Sequence, residues 1–373
     1  MEREADAPRR GFPLAEPPRF AVLRAFCAVA EGADVLVPSP VEVLTADTAA
    51  ETGVGAACVA AVLGDAQRRL SILGGRSEMP RSLGSVLGSF VVRFVGGGLR
   101  GVESRAVKTL NARSVSNGVA VSRDGSTLLV SHYENDAHAG VRTFCVHTGV
   151  HFRTIGGAGN GPLQFHFPCQ VWVASDDFVF VADQGNNRIQ ILTPRAFDFH
   201  RFVGVGQLEH PSGVCAGGEH IIVSESGARR ISVFSRGGGT LLRRFGSKGR
   251  CGGQLAEPTG LCLMPGDRDI AVADTRNNCV SVFSVYGEFV RTVSIRELDR
   301  PHCVACSAFG ELVVASWGNT RVFVFSASGE MLYTMRGDRF ADVAMDYGHF
   351  TGVATHNGAI FAQTWRDKCL VFT

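Results

Sequence analysis

From Ser89 onward the chain is a succession of strand-length apolar runs broken by Gly, Asp and Asn, the texture of many short strands joined by turns. A Gly-Val element recurs at Gly118-Val119, Gly213-Val214, Gly260-Leu261 and Gly352-Val353, with Gln170-Val171 and Cys303-Val304 in equivalent places. Pro168, Pro211, Pro258 and Pro301 introduce four of these, and the intervals of 43 to 52 residues divide the segment into six units. Each unit repeats one order. The Gly-Val strand leads to a turn such as Ser122-Arg123-Asp124-Gly125, then to a strongly β-prone run such as Phe178-Val179-Phe180-Val181. A second turn follows, best preserved in Ala182 to Leu192, and then a strand that alternates polar and apolar residues, as in Arg188-Ile189-Gln190-Ile191. A last strand carries Arg-x-x-Gly, at Arg153 to Gly156, Arg201 to Gly204 and Arg243 to Gly246. Four antiparallel strands per unit describe a propeller blade, so the pattern predicts an all-β, six-bladed β-propeller over residues 89–373.

The sixth unit ends after its third strand, Leu370-Val371-Phe372. Val92 to Gly96 carries the Arg-x-x-Gly signature ahead of the first full unit, so strand 89–96 is expected to close the last blade and remove an exposed sheet edge. Residues 1–88 differ in texture. Pro17-Pro18 precede a helical face of Phe20, Leu23, Phe26, Cys27 and Ala30, and Thr48 with Glu51 has the spacing of a capping box. A small helical or partly disordered extension is expected there.

Asp183-x-x-Asn186-Asn187-Arg188-Ile189-Gln190-Ile191, with Asp274-x-x-Asn277-Asn278 and the Gly161 to Phe165 linker, resembles the NHL repeat family of six-bladed β-propellers. Other copies are degenerate: Glu225 and Ser316 replace the aspartate in the third and fifth units, and Cys279 replaces the arginine in the fourth. In these positions Asp and Asn satisfy backbone N–H groups, and an Arg across the turn pairs with the carboxylate. The resemblance implies a binding platform, or less commonly an enzyme. The peptidyl amidating lyases resemble this fold and place Pro-His before the inner strand in three blades to hold a metal. This chain has Pro-His once, at Pro301-His302, with Cys169, Ser212 and Thr259 in the corresponding places. His166, His210, His302 and His349 are therefore only a weak alternative metal set, beside Glu257, and the reading favours no cofactor and no catalysis.

Composition narrows the partner. Formal net charge is +2, and residues 89–373 hold 28 basic against 24 acidic residues, so no strong field is present. Arg229, Arg230, Arg236, Arg243, Arg244, Lys248 and Arg250 nevertheless cluster along the third unit, and some NHL-like propellers joined to ubiquitin-ligase modules bind RNA on a basic face. An RNA-binding or ubiquitin-pathway adaptor is the alternative, although strand alternation spreads these side chains over both sheet faces. A RING would need a dense Cys/His series, whereas residues 1–88 hold only Cys27 and Cys58. Most of the eleven cysteines sit in apolar runs, Cys303-x-x-Cys306 lies in a strand, and no apolar run spans a bilayer. Gly96-x-Gly98-x-x-Gly101 lacks the helix and acid of a dinucleotide site. The expectation is a monomeric cytoplasmic scaffold that presents its second-to-third strand loops and linkers to a protein partner. Trp317, Trp365, Tyr133, Arg276 and Gln184 are the candidate contacts.

Overall fold

A computed structural model describes residues 108–135, 138–336 and 349–372. Four sheets of four antiparallel strands and one sheet of seven make six blades. The inner strands of blades two to six are Pro168–Val173, Pro211–Gly217, Pro258–Leu263, Pro301–Cys306 and Phe350–His356. Strand Lys108–Val121 supplies the inner strand of blade one. Each inner strand contacts the next, and the last contacts the first, so the ring is closed. No helix among the described residues is long and apolar enough to cross a membrane.

The seven-stranded sheet is the closure. Lys108 to Asn111 pair with Val371 to Lys368, and after a bulge Val115 to Val121 pair with Tyr133 to Leu128. One strand thus serves as the outer strand of blade six and the inner strand of blade one. This corrects the expected closing strand: the place beside Arg366–Phe372 belongs to residues 108–111. The extension 1–88, the segment 89–96 and all of Gly96 to Gly101 lie outside the described residues.

Second and third strands are covered on both faces by neighbouring blades, which is why runs such as Val179–Asp183 and Arg188–Leu192 are buried at every position. Their apolar residues form six clusters, each filling one junction between adjacent blades. Val214 and Ile221 meet Phe180 and Ile191 between blades two and three, and Val353 and Ile360 meet Val313 and Val322 between blades five and six. The polar members of the alternating third strands are buried as well. Gln190, Ser232 and Ser281 face inward rather than to water.

Around the axis the constraint is space. A Cβ on Gly118 would lie 2.5 Å from the Cys169 carbonyl oxygen, and one on Gly260 would lie 2.8 Å from Cys303 Cα. On Gly213 it would collide with the Thr259 carbonyl, and on Gly352 it would lie 3.2 Å from Val119 N. The recurring glycine is therefore where each inner strand touches the next. Blade two has Gln170 in this place, and its side chain passes beyond blade three. Nε2 donates to the Leu261 carbonyl (2.7 Å), while Oε1 accepts from Leu261 N (3.0 Å) and Val214 N (3.2 Å). Trp172, two residues on, donates to the Ala216 carbonyl and packs against the clusters of three successive junctions. These two side chains of blade two thus tie it to blades three and four at the inner strands.

The arginine of Arg-x-x-Gly is an inter-blade strap, kept as Arg291 in blade four, where Ser294 takes the glycine's place. Arg153, Arg201, Arg243 and Arg291 each donate to a carbonyl at the third-to-fourth strand turn of the following blade: Ala196, Arg236, Val285 (3.0 Å) and Ala327 (2.7 Å). The glycines end their strands at positive φ, 80° at Gly156, 76° at Gly204 and 82° at Gly246.

Two substitutions test these constraints. Gly213→Ala is expected to cost about 1–3 kcal/mol, because backbone cannot yield to the new methyl. Gly157→Ala, with nothing within 4 Å, should stay within about 0.5 kcal/mol in the same chemical denaturation series. Thr320 sits at φ 56°, where blades two and four carry Asn187 and Asn278. Thr320→Asn is expected to relieve about 1 kcal/mol of backbone strain and raise Tm by about 2–4 °C by calorimetry.

Candidate functional site

The loop face is built by one turn repeated around the ring. In blade two Asp183 is fully buried and accepts hydrogen bonds from His166 N (2.8 Å), Asn186 Nδ2 (2.9 Å), Arg188 Nε (2.8 Å) and Gln190 Nε2 (2.9 Å). Arg188 also donates to the Asn160, Gly161 and Gln164 carbonyls of the preceding linker. Asn187, in the left-handed region, accepts from His210 N of the next blade (2.7 Å), as Asn278 does from Arg300 N (2.8 Å). Each motif residue thus has a structural task that joins a blade to a linker or a neighbour.

Around the ring the acid's place is held by His132, Asp183, Glu225, Asp274, Ser316 and Thr364, all buried. Burial and the Arg142 charge push the His132 imidazole down to about 4, so it is neutral. Glu225 takes Arg230 (2.9 Å), Ser232 and Glu209 N (2.8 Å). Asp274 faces Cys279 where an arginine would stand, and keeps Ala256 N, Glu257 N and Asn277. Burial pushes its carboxyl above the ordinary value, against the lowering effect of those donors.

Two sectors of the loop face differ in chemistry. In blades five and six Trp317 stacks on His349 (centroids 4.6 Å), meets Trp365 edge-on (5.1 Å) and lies 5.6 Å from His302. His302 donates through Nδ1 to the Thr351 carbonyl, and burial lowers its pKa. The two tryptophans are therefore brought together and wedged between blades, half-buried. Tyr133 packs on Phe167 (4.8 Å) across the junction of blades one and two. Gln184 donates to Ser212 Oγ, which is bonded to Ser226 Oγ (both 2.8 Å). Between blades three and four lies a polar cleft of about 270 Å³, whose walls include Glu209, His210, Ser226, Arg229, Glu257 and Arg276. Arg276 pairs with Glu257.

The basic residues of blade three do not form one patch. Arg236 pairs with Asp176 at the opposite end of the blade, and Arg243 reaches the Val285 carbonyl and lies over the Tyr286 ring (5.1 Å). Arg230 and Arg244 turn toward buried Glu225. Arg229, Lys248 and Arg250 remain without an ion pair or side-chain hydrogen bond among the described residues. The histidines also part company: His302 and His349 flank Trp317, His166 lies against Gly185, and His210 lines the cleft. Among the described residues no three His, Cys, Asp or Glu side chains converge to hold a metal ion. The sequence shows Gln170 in a recurring glycine's place but not its bridging task, and it assigns no such structural task to Trp172 or to His132, a histidine in the acid's place.

Residues 255–283 match the NHL repeat family. The chain is an NHL-repeat six-bladed β-propeller. Protein brain tumor of Drosophila melanogaster is 28% identical over 130 residues, covering 34% of this chain and 12% of that protein. The human E3 ubiquitin-protein ligase NHLRC1 is 30% identical over 91 residues, covering 24% of this chain and 22% of that protein. The NHL propeller's matches thus span less than a quarter of these relatives' lengths. In fold it resembles streptogramin B lyase (TM-score 0.53, 12% identity, covering 71% of this chain and 97% of that one). It also resembles virginiamycin B lyase of Staphylococcus aureus, solved in a catalytically inactive form with quinupristin (TM-score 0.52, 13% identity, 71% and 98% covered).

The turn network of the NHL propeller has a testable asymmetry. Asp183→Asn leaves Arg188 buried without its counter-charge and is expected to cost about 3–5 kcal/mol in urea unfolding. For Asp274 the folded pKa is raised, so its contribution to stability is present below the unfolded value and is lost as pH rises through the folded one. Asp274→Asn should therefore be better tolerated at pH 7 than at pH 4, relative to wild type. Equal cost at both pH values would contradict this.

Proposed function

We propose that the propeller is a non-enzymatic protein-interaction scaffold whose loop face receives a protein partner. The observation that carries this is the division of that face into an aromatic sector, around Trp317, Trp365 and Tyr133, and a charged cleft beside it, at Arg229 and Arg276. Half-buried aromatics next to polar groups are the usual anchors of protein interfaces. An extended nucleic-acid strand would need a continuous basic path with exposed rings. Here Arg230, Arg236, Arg243 and Arg244 have internal partners, which favours protein over RNA. A cytoplasmic setting accords with cysteines that are all free among the described residues, several with thiols pushed up by burial, to about 11 at Cys303 and about 12 at Cys169. The E3 ligase among its relatives supports a finer reading, a propeller that selects proteins for the ubiquitin pathway.

The test is affinity capture with the full chain, compared with Arg276→Glu on the loop face and Arg268→Glu at the first-to-second strand turn of the opposite end. The scaffold reading expects a partner that binds wild type and Arg268→Glu and is lost with Arg276→Glu. A partner lost only with Arg268→Glu would move the interface to the other face, and capture of RNA instead of protein would replace the reading.

A further inference from the structure

Resting on the platform reading above, we propose that the cleft between blades three and four is a receptor for a carboxylate side chain on an acidic segment of the partner. Arg229 is the centre of this inference. It occupies the left-handed position of its turn (φ 57°), where blades two and four carry asparagine, and an arginine there pays backbone strain without the inter-blade hydrogen bond those asparagines make. Its guanidinium is half-buried in the cleft and has no ion-pair or hydrogen-bond partner among the described residues. A guanidinium offers two parallel donors, the geometry a carboxylate accepts. Ser226 and His210 stand on the same walls as further polar groups.

Charge balance around the cleft favours an acidic occupant. Of its two carboxylates, Glu257 is paired with Arg276, and Glu209 lies in the field of Arg230. Exposed Lys248 and Arg250 belong to the linker that leads into the cleft wall at Ala256 and Glu257. The three basic residues of blade three that the fold leaves unpaired thus lie on one face and in one sector, with Arg276 beside them. The cleft's size, about 270 Å³, falls just below the roughly 300–1,000 Å³ range of small-molecule sites and is enough for a side chain. Glu209 and Glu257 can accept the N–H groups of a peptide backbone, donors that a polyphosphate backbone lacks.

Fluorescence anisotropy on the full-length protein at low salt tests this, with a labelled Gly-Asp-Glu-Asp-Glu-Gly peptide, its Asn/Gln counterpart and oligouridylate as probes. Saturable binding of the acidic peptide is expected, weakened about tenfold or more by Arg229→Asn and by replacing the acids with amides. Arg229→Asn installs the residue of blades two and four, so its Tm should not fall, and Arg268→Gln should bind as wild type. The proposal is overturned if the acidic peptide does not saturate, if Arg229→Asn binds it equally well, or if oligouridylate binds more tightly with the same dependence on Arg229. If the peptide fails while Arg276→Glu still loses a captured protein, the scaffold reading stands and only the acidic occupant is wrong.

Discussion

The propeller depends on how closely adjacent inner strands approach one another. Glycine at four of six junctions lets backbone meet backbone, and the strands that lack it compensate in other ways. Gln170 reaches over blade three to serve three backbone groups, and Trp172 lies below it against three cores. Such contacts couple the blades sideways, so no sheet is an independent unit. The arginine straps repeat the coupling at the rim, each ending on a carbonyl of the next blade.

The loop face inherits its variety from the erosion of one turn. Blade two keeps every donor and acceptor of the motif, and its surface is used up in holding the ring together. Where the motif decays, polar groups are released or replaced by larger side chains. Blade five has Trp317 beside Ser316, blade six has Trp365 beside Thr364, and blade three has Arg229 in an asparagine's place. Structural need and available chemistry therefore vary inversely around the ring.

Much of this was legible in the sequence because the repeat could be compared with itself. The six units, the four inner-strand glycines, the acids of blades two to four and the Arg-x-x-Gly of blades one to three recur in corresponding places, and each proved to have a physical task. The closing strand was misplaced for the same reason. Val92 to Gly96 imitates an outer strand, whereas Lys108 to Asn111 carries neither the arginine nor the glycine. The arginines of blade three read as a cluster because they are neighbours in the chain; antiparallel strands send Arg229 and Arg236 to opposite ends. That polar residues in alternating strands would be buried could not be read from alternation, since each blade is covered on both faces.

Amide hydrogen exchange on the full chain tests the central claim, that the inner strands bind six blades into one cooperative body. Val214 and Leu261, whose N–H groups are held by Gln170, should exchange only through global unfolding, with the same free energy as the inner strands of the other blades. Exchange of one blade's inner strand at a markedly lower free energy than the rest would contradict it.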